Sequence, residues 1–382
     1  MSEYQYYEFQ TIDDPLTPSQ MRALRGYSTR ATITPTRFVN EYHWGNFKGD
    51  PTVWIEKYFD VFFYYANWGS RDFMLRLPRR VLDFDVTQRY CCGDLALARR
   101  KGEYVILEFH SEDDEAEGWV EDDADLSALI PLRTDLARGD HRSLYLAWLL
   151  CVQGGEIEDD AEEPPVPGGL RALTGPLHAF AQFLRIDGDL IAAAAEGSPA
   201  EEDPVPREEI ERWIQSLPDA EKTRLLLDAA LDGPNPQAEL LTKFRDTRSS
   251  GRRWTVKART VAQLLVAAKE RAEARKRKEK ERAERERARR EQEARAARER
   301  HLSDLAKRRV EVWAQVDQLI ATKQPRKYDE AVALLCDLRE LAMRDGKDQE
   351  VSAHLERIRT QHEGKPTFVS RLRKAGLLDS VL

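Results

Sequence analysis

Between Thr255 and Thr322 the chain contains no proline and no glycine, and from Lys269 to Arg300 nothing apolar larger than alanine appears. An unbroken run of strong helix formers favours a helix, but a coiled coil needs bulky residues at its a and d positions. The segment therefore reads as a solvated single helix. Glu273 to Arg277, Glu281 to Arg285, Glu286 to Arg290 and Glu291 to Arg295 are i,i+4 pairs that support it, each by roughly 0.2 to 0.5 kcal/mol. At about 1.5 Å per residue the middle section spans close to 50 Å. Only the ends carry apolar faces: Val261, Leu264 and Leu265 at one, Val310, Trp313, Val316 and Ile320 at the other.

The chain of 382 residues has room for more than one core. Four regions are expected: an α+β domain over 1–155, a helical domain over 168–245, the long helix over 255–322 and a three-helix tail over 326–382. The fold class is mainly α with an N-terminal α+β domain, a helical bundle and a small helical tail. No run approaches the roughly 18 apolar residues of a bilayer span, and the start lacks a basic and apolar leader. The expectation is a cytoplasmic protein with no membrane partner.

In the N-terminal region Tyr4 to Phe9, Ala31 to Thr34, Phe73 to Leu77 and Glu103 to Phe109 have strand composition. Thr17-Pro18-Ser19-Gln20 is a capping box with proline at the first helical position, which predicts a short helix with Met21 and Leu24 inward. After a turn at Asn46–Pro51, the spacing of Trp54, Tyr58, Val61, Phe62 and Tyr65 predicts a second helix with one aromatic stripe. His141 to Val152 has almost no polar face and should form a central helix.

Two acidic stretches, Glu112 to Asp125 with nine carboxylates and the proline-rich Glu156 to Pro167, read as solvated loops. From Leu170 to Phe244 apolar stripes on Leu173, Leu177, Phe180 and Leu184, on Ile210, Trp213, Ile214 and Leu217, and on Leu225, Leu226, Ala229 and Ala230 predict helical hairpins. After Gln324-Pro325, stripes on Tyr328 to Leu341, Val351 to Ile358 and Phe368 to Leu377 predict a tail folded back on Trp313 and Val316.

No P-loop, dinucleotide, zinc-protease or nucleophile-elbow motif is present, and Cys91, Cys92, Cys151 and Cys336 lack CxC or CxxC spacing. The cysteines read as small apolar side chains, and no cofactor is implied. Asp83 and Asp85 with Glu108 and His110 form two alternating pairs that could hold a divalent metal if both segments were strands that met. The bland alternative is solvated sheet and loop residues. Lys243, Arg245, Arg248, Arg252, Arg253, Lys257 and Arg259 are seven cations with Asp246 the single anion among them and Trp254 interleaved. Cations beside a stacking aromatic fit a nucleic-acid contact. The reading preferred to that is a solvated linker whose arginines pair with the acidic loops. The long helix has fifteen cations against nine anions between Lys269 and Arg300, a mixed run that favours a spacer over a binding face.

Ile210 to Leu227, with Trp213, Leu217-Pro218 and Glu221-Lys222, and Tyr328 to Leu377, with Tyr328-Asp329-Glu330-Ala331, His362, Lys365-Pro366 and Ala375-Gly376-Leu377, resemble the C-terminal portion of bacterial SWIM-type zinc-finger proteins. Ser28-Thr29-Arg30-Ala31 and Trp68-Gly69 resemble a family of uncharacterised bacterial proteins. The resemblance implies a helical C-terminal architecture in a nucleic-acid-associated setting; the zinc ligands of that family have no counterpart here. Three functions follow in order: a non-enzymatic scaffold or adaptor for another protein, a nucleic-acid binder through 243–259, and a metal-dependent enzyme in the N-terminal domain.

Overall fold

The structure, a computed structural model, describes residues 3–112, 125–199, 207–230, 240, 244 and 259–378. The chain divides into two compact units, Met1–Arg275 and Lys276–Leu382.

In the first unit the described strands form one antiparallel sheet: β1 (Gln5–Gln10), β2 (Thr32–Ile33), β3 (Arg37–Tyr42), β4 (Val61–Ala66), β5 (Arg71–Pro78), β6 (Ala96–Lys101) and β7 (Tyr104–Ser111). Their order is β2-β3-β1-β4-β5-β7-β6. One edge is the two-residue β2. The other, β6, is covered by the preceding segment, where Gln88 Nε2 donates to the Ala98 carbonyl at 3.3 Å and Cys92 bridges Leu97. The first edge is thus short and the second partly covered.

The capping box forms as expected, with Thr17 Oγ1 accepting from the Gln20 backbone, and starts α1 (Pro18–Arg25) with Leu24 buried. The helix expected from Trp54 to Tyr65 does not. α2 (Pro51–Lys57) ends at Tyr58, and Val61 to Ala66 is β4. A continuous β-branched and aromatic run suits a strand buried on both faces, which removes the one-sided stripe that a helix requires. Val61 and Phe63 enter one core; Phe62 and Tyr64 enter another with Tyr7, Phe9, Phe38, Trp54 and Phe59.

The first of these cores continues past residue 155. After α3 (Phe84–Thr87) come α4 (Leu126–Leu129), α5 (Pro131–Ala137), α6 (Arg142–Gln153), α7 (Gly175–Phe183) and α8 (Gly188–Gly197). Leu146 and Leu150 of α6, Phe180 of α7, and Leu190 and Ala193 of α8 share one cluster with Phe73 and Phe109 of the sheet. The boundary expected between 1–155 and 168–245 therefore falls inside one core: α7 and α8 cover the sheet instead of forming a separate bundle. α6 is buried from Arg142 to Val152, as its lack of a polar face predicts. α9 (Arg207–Ser216) and α10 (Asp219–Ala230) follow, and Trp213 packs edge-on against Phe244 at 5.4 Å.

The long helix, α11, runs Val261–Lys307, with α12 (Arg309–Ala321) after a break at Arg308 (φ −115°, ψ 23°). Its observed i,i+4 ion pairs are Lys280–Glu284, Arg282–Glu286, Arg287–Glu291 and Arg289–Glu293. They run cation to anion, opposite to the expected Glu-to-Arg order.

In the second unit α13 (Pro325–Asp345), α14 (Asp348–Gln361) and α15 (Pro366–Lys374) form the expected helical tail. Val312, Val316 and Ile320 of α12 share its core with Tyr328, Leu335, Leu355, Phe368 and Leu372, and Trp313 packs at its margin. Among the described residues no helix is long and apolar enough to cross a membrane.

Candidate functional site

The four proposed metal ligands are not brought together. Asp83 does not lie on a strand: it caps α3, accepting from the Asp85 backbone at 2.9 Å. Glu108 and His110 do share one face of β7, but each is engaged separately. Glu108 pairs with Arg99, whose other nitrogen reaches Glu56 at 3.0 Å. His110 Nδ1 contacts Asp72 and its Nε2 contacts Glu112 at 3.1 Å. Carboxylates on opposite ring nitrogens cannot converge on one ion with that imidazole, and no metal-holding group of three occurs among the described residues.

What this arrangement does instead is hold a cation. The hydrogen bond to Asp72 is the main cause that raises His110 to about 9, burial working against it and Glu112 adding to it. At neutral pH His110 is an imidazolium clamped between two carboxylates. It has no free ring nitrogen for general-base work.

Seven of the eight proposed nucleic-acid contacts, Lys243, Arg245, Arg248, Arg252, Arg253, Trp254 and Lys257, lie outside the described residues. The eighth, Arg259, is committed inside the first unit. Its Nε and Nη2 donate to the Glu163 carboxylate at 2.8 and 2.9 Å, and Nη1 donates to the Ala193 carbonyl at 3.0 Å. Four of its five N–H donors are thus spent on a buried carboxylate and two helix carbonyls. Arg259 is the one cation of the segment that the described structure places, and it pairs with the acidic stretch 156–167.

Glu163 itself was hidden in the sequence. The acidic, proline-rich stretch reads as solvated, yet Glu163 is 7% exposed and Tyr145 Oη also donates to it. Glu156 of the same stretch accepts from the Leu95 backbone. The signal available was Tyr145, whose phenol on a mostly apolar, buried helix calls for an acceptor.

These contacts form the seat of α11. Thr260 bridges Glu162, Glu163 N–H donates to the Arg259 carbonyl at 2.8 Å, and Val261 and Leu264 enter the first core. Two and three turns onward Arg271 pairs with Glu196 and Arg275 with Asp189, at 2.6 and 2.8 Å. At the other end Leu305 enters the core of the second unit, and Arg298 pairs with Asp337 and Glu340. From Arg275 to Arg295 every residue is exposed.

The cysteines have no site chemistry of this kind. Burial lifts the Cys91 thiol to about 12 and raises Cys151 and Cys92 as well, which keeps them protonated and poor nucleophiles. No protein-family model, curated protein or solved structure matches the chain.

Proposed function

We propose that the protein is a non-enzymatic adaptor whose two units are interaction modules carried on one charged helix. The observation that supports this is α11. Its first turns are built into one core and its last turns into another, while the section between buries nothing. A helix with no apolar face gains no stability from packing and is kept by its own propensity and ion pairs. Such an element contributes continuity between modules and offers no cavity for catalysis.

The test uses chemical cross-linking and affinity capture of the full chain, compared with Ala288→Pro. Proline in a helix interior costs about 3 kcal/mol and breaks the exposed section without touching either core. Partners of both units should still be recovered, because the chain stays covalently continuous, but the cross-links formed between them should change as the kink alters the spacing of the units. A cross-link pattern indifferent to the kink, or a full chain that captures no partner, would reject the adaptor reading.

A further inference from the structure

We draw no further inference here: the strongest candidate, the groove of about 570 Å³ along α8 between residues 170–173 and Arg271 of α11, has its Arg171 spent on the Ala195 and Glu196 carbonyls and its Arg271 on the Glu196 carboxylate, so nothing in the structure shows what would occupy it.

Discussion

Arg259 and Glu163 form a two-bonded ion pair, at 2.8 and 2.9 Å, in which the carboxylate is almost wholly buried. Removing one partner leaves an uncompensated charge. Arg259→Ala is predicted to destabilise the first unit by about 3 to 5 kcal/mol, read by urea denaturation. Arg259→Ala with Glu163→Leu should recover most of that loss, since replacing both partners removes the stranded charge. Equal losses in the single and double variants would refute this account.

Asp60 is 0% exposed and accepts from the backbones of Ile12 and Asp13 at 2.6 and 3.0 Å and from Arg76 at 2.9 and 3.1 Å. It ties the end of β1 to β5. Asp60→Ala should cost about 3 kcal/mol or more by stranding Arg76 and two amides, and hydrogen exchange at Ile12 and Asp13 should accelerate. A loss below about 1 kcal/mol would be incompatible with this network.

His110 gives a pH dependence whose sign is fixed. Its folded value, about 9, lies above the unfolded value near 6.5. The stabilisation is therefore fully present below about pH 6.5 and is lost as pH rises through about 9. NMR titration of the ring should show the raised midpoint, and Asp72→Asn should bring it down because Asp72 is the leading cause. A midpoint near the ordinary value in the parent protein would refute the clamp.

Lys323 joins α12 to α13 at φ +56°, a conformation that costs an L side chain about 1 kcal/mol. Lys323→Gly is predicted to raise the stability of the second unit by about that amount, measured by thermal melting. Destabilisation would mean that the lysine side chain holds the turn.

Much of this fold is legible in the sequence because its signals are local. The Thr17 capping box, the apolar α6 and the stripes of the tail each report a single element, and each appears. The errors arise where one pattern fits two structures. Trp54 to Tyr65 satisfies a helical spacing, but Val61 to Ala66 is also a β-forming run, and burial on two faces decided between them. Asp83 and Asp85 alternate as a strand would, yet Asp83 is the cap of a short helix. The site was harder to read, since Glu163 meets Arg259 only through the fold and an acidic loop gives no sign of which carboxylate turns inward. The ion pairs on α11 show the same limit: Glu-to-Arg and Arg-to-Glu pairings coexist in one sequence, and side-chain placement selects among them.

Because α11 is exposed from Lys276 to Arg295, its amides there have no core packing to slow their opening. Cooperativity between the two cores has no packed surface along this stretch through which to pass. Heating should therefore give two calorimetric transitions, each following the mutations in its own unit, and a single melting temperature will not be a thermodynamic property of this chain.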